Sequence, residues 1–322
     1  MKKLILLIIA FASISIGIQA QNDTMYVIKN GIVVGKHNIK TEVDSVIFYK
    51  PSTNTSSINI ACVNIPAGTF IMGSPASEVK QKDDETQHQV TLSTFRMSKY
   101  EITNAQFAAF LNAKNIGVDG KYAAGTYPTQ ALIYASVTGH DWGLHYNTNK
   151  WVPVAGYENH PVIYVTWYGA TEFATYVGGK LPTEAQWEYA CRAGTTTPFN
   201  TGNYLTNLQA VYFWDYPYTG GPYTETNNNP MEPYAVGGYP ANAWGLFDMH
   251  GNMFEWCSDW YAFYPTTAQT NPTGPTSEQG SGRVNRGGGW HSTAGNCRSA
   301  ARYSNPPEAK ESIIGFRVVY VP

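Results

Sequence analysis

From Asn200 to Asn242 the chain offers no helical or strand periodicity, only a recurring mixture of Tyr, Asn, Gly and Pro. So long a connection inside an ordered domain is either functional or pinned by what it covers. It also limits how much regular secondary structure the fold can contain. Composition points the same way: charged residues make up 14% of the chain, against 23 Tyr, 9 Trp, 30 Gly and 19 Pro. Such a chain builds its core from loops and aromatic packing rather than from long charged helices. Aromatic loops on a rigid frame suit ligand recognition. No basic tract or stripe appears, which argues against nucleic acid as a partner.

The chain opens MKKLILLIIAFASISIGIQAQ. Lys2 and Lys3 precede an apolar run from Leu4 to Ile18, and Ala20 is a small residue suited to cleavage before Gln21. Residues 1–20 therefore read as a signal peptide. The run is short for a membrane anchor and no stop-transfer segment follows, so no membrane span is expected. No cysteine stands at the cleavage point, which argues against a lipoprotein. The expectation is an exported protein, periplasmic or secreted, whose net charge falls from −2 to −4 with the loss of the two lysines. Export makes disulfides possible among Cys62, Cys191, Cys257 and Cys297. No CxxC spacing supports a zinc ribbon or a thioredoxin-like site.

Residues 25–50 alternate apolar and polar on either side of Asn30-Gly31, which predicts a small β-hairpin in the segment 21–50. PSTNTSS, residues 51–57, is a polar linker, and a main domain of α+β class follows over 58–322. Three helices can be placed in it. Thr103 and Gln106 form a capping box before Phe107, Phe110 and Leu111, which share one face. A second helix starts at Thr166 and stops at Gly178-Gly179. A third has the box Thr183/Gln186, an inner face of Trp187, Ala190 and Cys191, and Gly194 as its stop. The clearest strands are 88–100 and 313–320.

The stretch RGGGWHSTAGNCRSAAR, 286–302, gathers glycines, a tryptophan, a histidine, a thiol and three arginines. His291 is a candidate metal ligand or acid/base group, set against a surface histidine with no second ligand nearby. His140, Asp141 and His145 lie close in sequence but match no zinc pattern and read as a solvated loop. Glu184, Glu188, Arg192, Arg298 and Arg302 read as a charge network holding loops to helices, with ligand contact by Arg298 or Arg302 left open.

An ordered set of segments resembles the formylglycine-generating enzyme, or sulfatase-modifying factor, family. They are GTFIMGS (68–74), MSKYEITNAQF (97–107), NHPVIYVTWYGATEFATYVGGKLPTEAQWEYACRAG (159–194), ANAWGLFDMHGNMFEWCSDWY (241–261), RVNRGGGW (283–290), CRSAAR (297–302) and IGFRVV (314–319). The resemblance covers roughly residues 60–320 and implies a C-type-lectin-like fold with little regular secondary structure. Family oxidases convert a cysteine of a sulfatase peptide to an aldehyde with molecular oxygen, using two cysteines that suit Cu(I). Here residues 291–296 hold no thiol, and Cys297 falls beyond the expected pair. The copper site as known cannot form. A second branch uses iron and histidines from an added helical domain; the segment before residue 60 has only His37, which excludes it.

The resemblance also implies a structural calcium on the turn DMHGNMFEW, with Asp248 and Glu255 as side-chain ligands and carbonyls of Gly251 and Met253. A second calcium site near Asn227 to Pro230 is not supported. His88, His160 and His250 fall in framework segments and read as structural. The family further implies a Cys191–Cys297 disulfide, with Cys257–Cys297 as the competing arrangement. The groove at Trp256, Trp290, His291, Arg298 and Arg302 is then expected to hold a peptide, glycan or protein partner. The contrasting expectation is a divergent oxygen-dependent oxidoreductase acting on protein cysteines. A hypervariable binding protein of the same fold would crowd this region with asparagine, and only Asn285 and Asn296 stand there.

Overall fold

A computed structural model describes residues 58–136, 141–221 and 229–321, together with the backbone of four strands within residues 4–38. The linker 51–57, His140, Asn227 and Asn228 lie outside the described residues. The chain divides into two units, Met1–Thr53 and Asn54–Pro322. In the first, Thr24–Lys29 pairs antiparallel with Ile32–Asn38; Asn30-Gly31 lies outside the described residues. Leu4–Ile9 lies parallel to Thr24–Lys29, and Ile18–Ala20 completes the sheet.

Among its described residues the second unit holds three α-helices: α1 (Asn104–Ala113), α2 (Trp167–Tyr176) and α3 (Glu184–Arg192). Each starts where a threonine can accept from the first turn. Thr103 and Thr183 close full capping boxes with Gln106 and Gln186, and Thr166 accepts from Gly169 N–H. Helix α3 stops at Ala193 in the left-handed conformation, just before Gly194. Around them run short strands. Phe254–Trp260 pairs antiparallel with Arg283–Arg286 and parallel with Ile314–Gly315, and Tyr303–Asn305 forms the far edge.

Neither of the two clearest sequence strands is continuous. His88–Leu92 pairs with Gly68–Met72, whereas Phe95–Ser98 pairs with Cys62–Ile65 in a different sheet. The break falls at Ser93-Thr94, where Ser93 N–H donates to Asn271 Oδ1 (2.9 Å) and Thr94 Oγ1 to Ile65 O (2.9 Å). Similarly, 313–320 splits into Ile314–Gly315 and Val319–Tyr320. Between them Phe316 is fully buried and the Arg317 guanidinium reaches Glu255. Side-chain partners, not ladder bonds, set both breaks.

One core packs α1 and α2 through Phe107, Phe110, Phe173 and Phe316, with ring centroids 5.5–5.9 Å apart. Truncating one such ring costs about 3–5 kcal/mol. A second core holds the inner face of α3, with Trp187, Ala190 and Cys191 buried against Met97, Leu246 and Val284. That core fixes the platform from which the 286–302 segment departs.

Candidate functional site

Arg286 ends a strand, and the chain then turns through Gly287 (φ +99°) and Gly288 (φ +76°). A Cβ on Gly288 would stand 2.5 Å from Cys297 Sγ, so only glycine fits there. Trp290 N–H donates to Asn252 O (2.7 Å), and Ser292 Oγ accepts from Gly289 N–H (3.0 Å). Phe213 N–H donates to Ser292 O (2.8 Å) and Ala294 N–H to Tyr216 O (3.1 Å). The Asn200–Asn242 loop is thus what pins this segment. Trp290 is buried edge-to-face on Trp142 (5.4 Å), while the exposed His291 ring lies 4.9 Å from Phe213. His291, Thr293 and Asn296 line a cleft of about 350 Å³ floored by Phe254, Asn285 and Ile314.

Of the five expected groove residues only His291 lines this cleft; Trp290 is buried next to it in the chain, and the other three are elsewhere. Trp256 is fully buried and donates Nε1–H to Val165 O (3.1 Å). Arg298 is fully buried on Glu85 (2.8 Å from each of two nitrogens) and Glu78 (2.6 Å). Arg302 forms a bidentate pair with Glu184 (2.7 and 2.8 Å) and lies 3.7 Å from the Tyr264 ring centre. Their physical reason is shared. A buried guanidinium needs a carboxylate, and these carboxylates lie inside. Glu188 completes the network, accepting from Gly73 N–H (2.9 Å), Arg192 Nε (2.9 Å) and Arg286 Nη2. Burial alone would push the Glu184 carboxyl up, but Arg302 and Arg286 hold it below its ordinary value. Such carboxylates are committed to structure.

The expected disulfides are not made: Cys62, Cys191, Cys257 and Cys297 are free thiols. Cys191 Sγ faces Ser299 Oγ (3.7 Å) and Met249 O (3.6 Å), whereas Cys297 Sγ lies 3.5 Å from Thr293 O. Ser299, not Cys297, is the residue opposite Cys191. Burial pushes the Cys191 thiol up to about 12 and the Cys297 thiol upward as well. Between them sits His250, whose Nδ1–H donates to Cys297 O (2.7 Å) and whose Nε2 accepts from Asn200 N–H (3.0 Å). Burial holds its pKa down to about 4, a neutral framework histidine. His88 packs on Tyr264 and His160 on Tyr157. His145 is not in a loop as expected but on the strand Leu144–Asn147, opposite Val152, and pairs with the half-exposed Asp141 at 2.5 Å.

At the DMHGNMFEW turn the side-chain roles differ from expectation. Glu255 is fully buried and receives Arg317 twice (2.6 and 2.7 Å) and Trp187 Nε1–H (2.8 Å). It is an ion-pair member rather than a free ligand. Asp248 sits at φ +55° and accepts from Gly237 N–H (2.6 Å), and burial pushes its pKa up to about 6. Glu101, which sequence reasoning missed, faces the same spot. Its pKa is raised by burial and then by the charges of Asp248 and Glu255, and its Oε2 is buried with no partner. Three carboxylates thus share one guanidinium. Among the described residues no three acidic, His or Cys side chains suffice by themselves to hold a metal ion. Asp248 and the orphaned Glu101 oxygen are hard oxygen donors of the type a calcium ion takes.

A loop-built α+β domain whose turns are pinned by buried ion pairs, around a glycine-hinged segment, belongs to the C-type-lectin-like class of frames. Within that class, residues 48–321 match the sulfatase-modifying factor enzyme 1-like domain, and the chain belongs to that family. The formylglycine-generating enzyme of Mus musculus is 32% identical over 278 residues, covering 79% of this chain and 73% of that protein. The Streptomyces coelicolor enzyme of the same name is 32% identical over 279 residues, covering 79% and 87%. Serine/threonine-protein kinase pkn1 of Chlamydia caviae is 36% identical over 260 residues, but this chain spans only 37% of its length. Among solved structures, PvdO from Pseudomonas aeruginosa aligns with TM-score 0.60 and 25% identity, over 81% of this chain and 94% of that one. Treponema denticola variable protein 1 aligns with TM-score 0.57 and 21% identity, over 81% and 95%.

Proposed function

We propose that this protein is an exported binding or scaffold member of the family, which recognises a peptide, glycan or protein partner at the cleft beside Trp290 and His291. One observation carries the reading. Residues 291–296 hold no thiol, and the nearest one, Cys297, is fully buried with its pKa raised by burial. A thiolate, not a thiol, is what binds Cu(I). Of the expected groove residues, His291 is the one that lines the cleft and can meet a partner, beside the Thr293 hydroxyl and the Asn296 amide, while its neighbour Trp290 is buried. A calcium at Asp248 and Glu101 would neutralise buried carboxylates and brace the turn beneath Trp290, through Asn252. Export rests on the reading of residues 1–20. Among the described residues no helix is long and apolar enough to cross a membrane.

The test is turnover followed by mass spectrometry. The mature protein receives Cu(I), calcium, oxygen and a cysteine peptide of the sulfatase type, with an active relative alongside. No aldehyde is expected from this chain. Conversion of the thiol would instead establish a divergent oxygen-dependent oxidoreductase with a different ligand set.

A further inference from the structure

A cavity of about 690 Å³ lies apart from the 286–302 segment and shares no residue with it. One wall is a face of α2, where Trp167, Thr171 and Thr175 recur every four residues. Ser258, Lys180 and Arg283 supply others. Its size falls in the range of small-molecule sites.

Arg283 distinguishes this cavity from a packing gap. Its guanidinium carbon lies 3.8 Å from the Trp167 ring centre and 3.6 Å from that of Trp260. Nη1 donates to Ser258 O (2.7 Å), while Nε is buried with no partner. No carboxylate among the described residues pairs with it, whereas Arg286, Arg298, Arg302 and Arg317 each hold one. Burial accordingly pushes its pKa below the usual arginine value. With indoles against its faces, the group can meet a ligand only through in-plane N–H donors, the geometry that suits a carboxylate. Lys180, exposed at the rim, is a second cation.

The hydroxyls on the wall have already given their protons inward. Thr171 Oγ1 donates to Trp167 O (2.9 Å), Thr175 Oγ1 to Thr171 O (2.9 Å) and Ser258 Oγ to Asp259 Oδ2 (2.9 Å). Each keeps lone pairs to accept from a ligand. The complementary molecule carries one anionic group and several hydroxyl donors, with apolar faces to lie on threonine methyls. We propose that this cavity binds an acidic sugar, its carboxylate on Arg283 and its ring hydroxyls on the threonine and serine wall. The inference is independent of any role for the cleft at His291.

The test titrates glucuronate, glucose and a glucuronate-ended oligosaccharide into the full chain. Tryptophan fluorescence is the readout, since Trp167 and Trp260 flank Arg283. Glucuronate is expected to bind at least about tenfold tighter than glucose, a gap of about 1.4 kcal/mol. Arg283→Gln should abolish that preference, and Lys180→Gln should reduce it about two- to threefold, as for a rim charge. Tighter binding of the oligosaccharide than of the free acid makes a glycan end the ligand; equal binding makes it the monosaccharide. If Arg283→Gln does not fold, Arg283→Lys keeps a cation between the rings and should still lose most of the preference. Equal binding of glucuronate and glucose, no binding of either, or a preference that survives these substitutions overturns the proposal.

Discussion

Arg283 and Arg286 leave the same strand three residues apart and meet opposite surroundings. Arg286 is fully buried and pairs with Glu188, with Glu184 3.4 Å from its Nε. Arg283 is half-buried between two indoles and has no carboxylate partner among the described residues. The difference teaches where the fold can leave a charge available. In the interior a guanidinium is tolerated only with its counter-ion, so every arginine there is spent on structure. Nearer the edge, aromatic faces supply part of the stabilisation and leave in-plane donors without a protein partner.

The strongest way to break this contrast is at Glu188. Glu188→Ala leaves Arg192 without a carboxylate and Arg286 with only the more distant Glu184, and should cost about 3–5 kcal/mol, read as a fall in the urea midpoint. A loss under about 1 kcal/mol would mean that water reaches these cations after all. The other end of α3 offers a gain instead. Because Cys191 Sγ and Ser299 Oγ are 3.7 Å apart in the core, Ser299→Cys should close a disulfide worth about 2–4 kcal/mol. A mass lower by two hydrogens under non-reducing conditions checks it.

Asp248 sharpens the contrast from the acidic side, as a buried carboxylate in a group with too few cations. Its pKa is raised from 3.8 to about 6, so the native state holds a proton that the unfolded chain has released. The stability this contributes is present below about pH 4 and lost as pH rises through about 6 in a chelator. Comparison with Asp248→Asn isolates the effect from His250, which loses stability in the opposite direction, as pH falls from 6.5 towards 4. Calcium at a hundred times its dissociation constant should restore about 2.7 kcal/mol at pH 7 in the wild type and little in the variant. Equal calcium response in both would remove Asp248 from the cation site. The smallest effect is expected at Arg283. Arg283→Met strands no carboxylate, so unfolding should shift by only about 1 kcal/mol, the scale of lost cation–π contacts.

Much of the framework was legible in the sequence, and the reason is distance along the chain. Capping boxes such as Thr103/Gln106 and stops such as Gly194 act within a turn, so three helices could be placed from local pattern alone. The absence of a thiol from 291–296, and the ordered segments that carry the family resemblance, are also properties of sequence. The groove was not legible, because it depends on which way large side chains point. Trp256 and Trp290 look alike in the sequence, yet one is fully buried in the main core while the other rests on Trp142 beside the cleft. Arg298 is satisfied by Glu85, 213 positions earlier, and Arg302 by Glu184, 118 positions earlier. Local pattern carries no record of such partners. The sequence by itself determined where helices begin and end, because that is set by neighbouring residues, and that residues 291–296 hold no thiol. Only the tertiary structure decided which arginines are spent on carboxylates and that Arg283 keeps donors available, because burial creates the demand for a counter-ion and folding alone brings the counter-ion there.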